Sequence, residues 1–566
     1  MLAKYKIDLE ETTLSQYLTV GLLVLVYLGI FTIPLIDNDA AHHANIALHM
    51  YRTGDYHSLI DRGMPYLDKP HFLFWIAAFS YKIFGVNTFA YRLPALLFGL
   101  LSVVSVYKLV KHLSDTTTAK LSLLILATAI GFVFSIIDAR MEAPLTAGIA
   151  LGLWQLVVYI DKRKLSNLAL AALGAGIAFD TKGWIGVAVI IITCFFKIWL
   201  EKKWSVLADI KTYLFLPLFA LFISPVLYSY YLQYDLHPDI VVRGMSHISG
   251  VAFILWNQNF ERFGGNSFVK GGRYSDYFFL YHTFLWEFAP WCIFAYMGVW
   301  YWLRRLFYKK KTHAFTPFAL AFALILFTIS FSKFKMPHYI LMLFPLAAVF
   351  TAPYLRLALS SRLIKFFFPL HVILGYLIIV AVVLLNFYFF KPVNDVVEIA
   401  GVAMLVTLFI LITFKDPKRS TKVVYVSVFL SITLNFFMTF NFFPNLMHYQ
   451  GGNEVAGMMN KSGKSYGPSD IKLIDSDSHS FDFSIGQNHD LVKIDSIIQA
   501  YQPAMQQQHF LLTTSMKHKL EDSGFAVQPE FLHLNYQVSK VKGKFLNEAT
   551  RASLCDSLML ATIRKR

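Results

Sequence analysis

Long apolar runs recur from near the start of the chain to about residue 443, and they limit the fold more than any motif does. They lie at about 17–36, 89–111, 118–137, 141–160, 166–180, 183–200, 211–229, 282–303, 315–331, 338–355, 364–389, 397–414 and 422–443. A membrane span needs about 20 predominantly apolar residues to cross a hydrocarbon core about 30 Å thick. The pattern therefore predicts a polytopic, all-α membrane domain of about thirteen spans. The first run is too long for a signal-peptide core and ends without a small-residue cleavage site, so it reads as a retained span. Only Asp180, Thr181, Lys182 and Gly183 separate the fifth run from the sixth.

Composition agrees with a bilayer as solvent. Hydrophobic residues make up 56% of the 566 and charged residues 15%, against roughly 25% charged in soluble domains. The net charge of +16 could suggest a nucleic-acid partner. The basic residues instead cluster between apolar runs, as in Lys162-Arg163-Lys164, Lys202-Lys203, Arg304-Arg305 with Lys309-Lys310-Lys311, and Lys418-Arg419. These clusters alternate with loops poor in Lys and Arg, which places the N-terminus inside by the positive-inside rule. An odd number of spans then puts the tail outside, and no nucleic acid is implied. Cys194, Cys292 and Cys555 form neither a disulfide framework nor a zinc motif.

Two long segments face outward in this topology, 37–88 and about 230–281. Long polar and aromatic loops are where function usually resides. The first holds a helical pattern at 40–53 and an amphipathic stretch from His71 to Phe84 suited to the membrane interface. The chain divides into a membrane domain, 1–443, and a tail, 444–566. In the tail, apolar runs such as Ile471–Ile474 and Phe510–Thr513 alternate with helical ones such as Met516–Glu521, which predicts a small extracytoplasmic α/β domain.

Ionisable groups gather at the outer ends of the spans: Asp37 and Asp39; Asp68 and Lys69; Asp138, Arg140 and Glu142; Lys182; Arg262; and Lys333, Lys335 and His338. Charges at membrane depth are costly and usually mark a functional path. Each has an ordinary reading in isolation. Asp37 or Asp39 could cap a helix, Lys69 or Arg262 could snorkel to lipid headgroups, and His42 and His43 could simply be solvated. Their convergence on one membrane face favours the functional reading.

The segment Asp39-Ala40-Ala41-His42-His43-Ala44-Asn45-Ile46-Ala47, then Gly54-Asp55, resembles the first outer loop of GT-C glycosyltransferases. The nearer resemblance is to the aminoarabinose-transferase and bacterial protein-mannosyltransferase-like group. Pro65-Tyr66-Leu67-Asp68-Lys69-Pro70 is the most specific match. Arg92-Leu93-Pro94, Thr181-Lys182-Gly183, Asn259-Phe260-Glu261-Arg262-Phe263, Pro290-Trp291 and Ser332-Lys333-Phe334-Lys335-Met336-Pro337-His338-Tyr339 follow in order. The resemblance covers about residues 17–355. It implies a GT-C fold and transfer of a sugar from a polyprenyl-phosphate donor to an extracytoplasmic lipid, glycan or protein, with inversion, in a bacterial inner membrane.

It also implies roles. Asp39 matches a general base acting on the acceptor. Lys69 and Arg262 match cations that hold the donor phosphate, where negative charge grows as the glycosidic bond breaks. Tyr66 and Tyr339 match residues lining the same cavity. Glu142 stands where the family has Asp, in a position to orient the acceptor or share a metal. Asp68, Lys182, Lys335 and His338 are further candidates.

The chain departs from the family at Ala40, where the family has Glu, and at His42, where it has Arg. A neutral imidazole does not replace a permanent cation. Either His42 still donates a hydrogen bond to phosphate, or Asp39, His42, Asp68 and Glu142 together hold a divalent ion. Two readings of other classes stand beside the enzyme. A polyprenyl-lipid transporter or flippase would show an internal repeat and mid-membrane polar groups. A non-catalytic polysaccharide-assembly subunit would tolerate loss of Asp39.

Overall fold

The computed structural model describes residues 14–264, 276–308, 312–413, 419–467, 469–475, 478–499, 501 and 508–566; the side chains of 14–16, 262–264 and 419–420 are not among those described. The basic residues at 4–6, 309–311 and 415–419 therefore lie outside the described residues or side chains.

A helix occupies every predicted run. They begin with α1 (Leu14–Gly29), α2 (Asp39–Thr53), α3 (Phe72–Phe84), α4 (Thr88–Leu113), α5 (Thr116–Ala127), α6 (Ile130–Ile137), α7 (Glu142–Lys162), α8 (Leu165–Lys182) and α9 (Trp184–Leu200). Among the described residues, seven helices are long and apolar enough to cross a membrane, or eight if the bent pair α5–α6 counts as one span. Shorter apolar helices, α3 and α9 among them, fill out the bundle. The fifth and sixth runs are two helices, α8 and α9, joined at Gly183 with φ 71°.

Two predicted spans are broken, and each break satisfies the other. The third run bends by 54° between α5 and α6. The eighth divides into Phe279–Glu287 and Cys292–Phe307 around Pro290. An unpaired backbone group in lipid costs several kcal/mol, so broken helices persist only where other groups supply partners. Here Ile130 N–H donates to the Ala289 carbonyl at 3.2 Å. Trp291 Nε1 donates to Thr128 Oγ1 at 2.9 Å, and the Ser431 hydroxyl donates to the Thr128 carbonyl.

Arg92 of α4 performs a similar service. Its side chain is fully buried and donates to the carbonyls of Ile30 (2.8 Å), Ile137 (2.8 Å), Pro34 (3.0 Å) and Ile33, joining the end of the first span to α4 and α6. Glycines set the contact between α7 and α8. A Cβ on Gly174 would lie 2.5 Å from Gly152 N, and one on Gly148 would lie 2.7 Å from Ala178 N. Small residues of this kind let membrane helices approach backbone to backbone.

Two short strands in the first outer segment, β1 (Ile60–Asp61) and β2 (Met64–Pro65), form an antiparallel hairpin. The remaining strands lie in the tail: β3 (Ile471–Ile474), β4 (Asp490–Val492), β5 (His509–Thr513), β6 (Phe525–Asn535) and β7 (Asp556–Lys565). They form one sheet of order β4-β3-β5-β7-β6. β3 pairs in parallel with β4 and β5, while β7 is antiparallel to β5 and β6. Its two faces carry separate apolar cores, one around Phe510 and Met559, the other around Leu473 and Leu511.

The tail rests on the first outer segment. Ser478 and Ser480 hydroxyls donate to Asp37 at 3.0 and 2.9 Å. Asn45 donates to the His479 carbonyl at 2.7 Å. Arg62 meets the fully buried Asp482 at 3.1 Å.

Arg92→Ala leaves four buried carbonyls without their donor. We expect it to cost on the order of 3 kcal/mol or more, read as a clear drop in the thermal unfolding midpoint of detergent-solubilised protein. Exposed Arg52→Ala, on the outer helix, should move that midpoint little.

Candidate active site

The site begins at the N-terminus of α2. Asn38 caps the helix by accepting the Ala40 N–H at 2.8 Å, and its amide donates to Asp138 Oδ1 at 3.3 Å. The next residue, Asp39, is therefore fixed at the helix start with its side chain 49% exposed, which leaves one face open for a substrate. Gly54 ends α2 in the left-handed conformation, φ 74°, as a C-terminal glycine can without strain.

The loop between α6 and α7 supplies the neighbours. Ala139 has φ 46°, a tight turn that brings Asp138, Arg140 and Glu142 together. Arg140 pairs with Asp138 and lies 3.6 Å from Asp39 Oδ2. Its guanidinium also lies 3.5 Å from His338 Nδ1. Arginine can only donate, so Nδ1 accepts and the ring proton is assigned to Nε2. That nitrogen is 3.6 Å from Glu142 Oε1. The same oxygen accepts from Lys182 Nζ at 2.6 Å. Lys182 in turn sits 4.6 Å above the Tyr339 ring. Asp39, Arg140, His338, Glu142, Lys182 and Tyr339 thus form one connected series, drawn from four separated stretches of sequence.

Electrostatics keep Asp39 ionised. Burial by itself would raise its carboxyl, but His43, Arg140, Lys69 and His338 outweigh burial and hold it below the usual carboxylate range. Burial depresses His43 itself to about 3, so it is neutral at pH 7. The permanent cations Arg140 and Lys69 therefore carry the effect there.

The Asp68-Lys69 segment is pinned from outside. Tyr230 donates to the Lys69 carbonyl at 3.0 Å, Gln258 donates to the Asp68 carbonyl at 2.7 Å, and the Asp68 carboxylate pairs with Arg243. Gln258 opens the short helix Gln258–Gly264. Arg262 belongs to that helix, but its side chain lies outside those described. Beside this segment a cavity of about 320 Å³ has Lys182 and Tyr339 on a wall completed by Trp184, Ile185, Phe260 and Met342. Its lining is mostly apolar, with cationic and phenolic groups at one side.

Other predicted residues go elsewhere. Lys335 is buried, donates to the Ser330 carbonyl at 3.0 Å and faces the Tyr277 ring. Tyr66 packs edge-on against His42, with centroids 5.1 Å apart. The four residues considered as a metal set each have another partner. Asp39 faces Arg140, Asp68 faces Arg243 and Glu142 faces Lys182, because each carboxylate has its own cation. His42 turns instead to Asp61, 3.0 Å away. Asp138 and Arg140 were expected among the charges gathered at the span ends but were given no role, and Asn38 was not singled out.

Residues 68–229 match the family dolichyl-phosphate-mannose-protein mannosyltransferase. That segment includes Lys69, Arg140, Glu142 and Lys182 but not Asp39. ArnT from Cupriavidus metallidurans, solved bound to undecaprenyl phosphate, superposes with a TM-score of 0.71 at 15% identity, over 96% of this chain and 97% of that one. The chain has the GT-C fold. Among curated relatives, a protein of Aquifex aeolicus without an assigned function is 26% identical over 56% of this chain, which spans 58% of its length. An undecaprenyl phosphate-alpha-4-amino-4-deoxy-L-arabinose arabinosyl transferase of Pseudomonas fluorescens is 25% identical over 68% of this chain, which spans 64% of its length. The chain thus spans less than two thirds of the length of either relative.

Within the bundle Glu142 and Lys182 neutralise one another at 3% and 10% side-chain exposure. Removing one partner of such a pair leaves a buried charge and costs about 3–5 kcal/mol, whereas replacing both can be nearly neutral. Glu142→Ala should therefore lower the unfolding midpoint sharply. Glu142→Gln with Lys182→Met should recover much of that loss, and a double-mutant cycle in thermal unfolding checks it.

Proposed function

We propose that this protein is an integral membrane glycosyltransferase that moves a sugar from a polyprenyl-phosphate donor to an acceptor outside the membrane, inverting the anomeric centre. The observation that carries this reading is the connected series from Asp39 to Lys182, placed beside an apolar cavity. An apolar wall suits a polyprenyl tail, and a donor that cannot leave the bilayer calls for a site at the membrane surface. The match to a mannosyltransferase family and the fold shared with a protein that binds undecaprenyl phosphate support it.

In this mechanism an acceptor oxygen attacks the sugar's anomeric carbon from the face opposite the phosphate. The C–O bond to phosphate breaks, and polyprenyl phosphate leaves with the electron pair. Asp39 is the general base that takes the acceptor's proton, with Arg140 orienting its carboxylate. Lys69 and Arg262 are the donor-phosphate cations, and Lys182 joins them from the cavity wall. Fixed cations stabilise the charge that grows on the leaving oxygen without having to reorganise. Tyr339 lines the donor cavity, and Glu142 and His338 hold Lys182 and Arg140 in place. Residues 1–443 form the catalytic membrane domain and 444–566 an outer domain. The protein resides in a bacterial inner membrane with its site on the periplasmic side, where a lipid, glycan or protein is the acceptor.

Release of polyprenyl phosphate from polyprenyl-phosphate sugars by purified protein tests the reading. Asp39→Asn should lower turnover by about 10²–10⁴-fold, the range for a positioned general base, with little change in unfolding midpoint. Equal turnover by wild type and variant would remove Asp39 as the base.

The pH dependence has a definite sign. The depressed carboxyl is in its active, ionised form above its own pKa, so activity persists as pH falls through about 4, where an ordinary carboxylate protonates. The kcat/KM profile of the wild type should therefore show no acid limb above about pH 5 that disappears in Asp39→Asn.

A further inference from the structure

We propose that His42, Asp61 and His479 bind a divalent transition-metal ion of the zinc class, which fastens the tail to the helix that carries Asp39. Their ligand atoms all lie within 4.8 Å of one another. His42 Nε2 is 3.0 Å from Asp61 Oδ2, and His479 Nδ1 is 4.0 Å from Asp61 Oδ1. Around tetrahedral zinc, with bonds near 2.0–2.1 Å, neighbouring ligand atoms stand about 3.3 Å apart. The three donors thus approach that spacing, and rotation of the two imidazole rings completes it.

The donor chemistry fits. Two imidazoles and one carboxylate suit zinc and its neighbours among the first-row metals, and poorly suit calcium or magnesium. The imidazole rings of His42 and His479 are stacked, 4.5 Å between centroids and 19° from parallel. A bound metal lies in the plane of each imidazole that ligates it, so both rings turn out of this stack when the ion enters. Asp61 Oδ1 is buried and accepts no hydrogen bond, which leaves it a lone pair for a metal.

The surroundings hold these ligands in position. Ser478 and Ser480, on either side of His479, both donate to Asp37. The His479 carbonyl accepts from Asn45, three residues beyond His42 on α2. Arg62, next to Asp61, meets Asp482, three residues beyond His479. A metal here would join three separate pieces of chain: α2, the β1–β2 hairpin and the tail. Positions i and i+3 share a helix face, so His42 lies on the same side of α2 as Asp39. The ion would thereby fix the start of that helix without touching the reacting atoms.

The test reads metal content and stability, not sugar transfer, so it stands or falls apart from the proposed activity. Full-length detergent-purified protein is stripped with chelator, incubated with zinc chloride and passed through gel filtration. Wild type should retain about one zinc per chain, and its unfolding midpoint should rise on loading. Cobalt(II) titration of the same wild-type protein should give the strong visible absorption of a low-coordinate nitrogen–oxygen site, saturating at one equivalent. His479→Ala and Asp61→Asn should each weaken zinc binding by more than about tenfold, since losing even an outer-shell partner weakens metal sites by about 10–100-fold. The proposal is overturned if wild type keeps no zinc and gives no cobalt spectrum, or if both variants still hold the ion with wild-type affinity. The cobalt titration of wild type decides the matter even where a variant fails to fold.

Discussion

The end of the bundle that holds Asp39, Glu142 and Lys182 depends on how closely α7 and α8 approach. Gly148, Gly152 and Gly174 allow the two backbones to touch. The helices run in opposite directions, so the first residue of α7 meets the last of α8. Glu142 and Lys182 then stand 2.6 Å apart with almost no exposure to solvent. Neither charge would be tolerated there alone. Once paired, they give His338 an acceptor and the cavity wall a cation, and through Arg140 they set the surroundings of Asp39.

A second constraint comes from broken helices. The bend between α5 and α6 and the interruption around Pro290 both expose backbone groups at membrane depth. Each supplies partners for the other through Ile130, Ala289, Thr128 and Trp291. The loop after α6 carries Asp138, Arg140 and Glu142, so the direction that the bend gives α6 also aims these three side chains. Arg92 fixes the same corner from beneath by its bond to the Ile137 carbonyl. The site is therefore held by buried polar groups whose hydrogen bonds are met by remote residues, a stiff arrangement in a medium without water.

The tail forms part of the same framework. Its bonds to Asp37, Asn45 and Arg62 all fall on the first outer segment, close in sequence to Asp39 and Lys69. Movement of the tail would be felt at α2, the helix that presents the half-exposed carboxylate.

Much of this could be read from the residues alone. The runs of apolar side chains located the helices because burial in lipid is a local, additive property of each stretch. Local residue patterns likewise let Ile471–Ile474 be read as a strand in the tail and 40–53 as a helix. Resemblance drew attention to Pro65–Pro70, to Asp39 and to Lys182. It did not reveal that Asp68 is bound to Arg243, that Arg140 sits between Asp39 and His338, or that His42 turns away to Asp61 and His479. Which acid meets which base is set by helix crossing, by the positive φ of Ala139 and by the seat of the tail on α2, and none of these is encoded in any one segment. The sequence by itself determined where the apolar helices form, since each residue's preference for lipid or water is its own. Only the tertiary structure decided the pairing of the charges, since a salt bridge depends on the positions of two residues that the chain brings together from far apart.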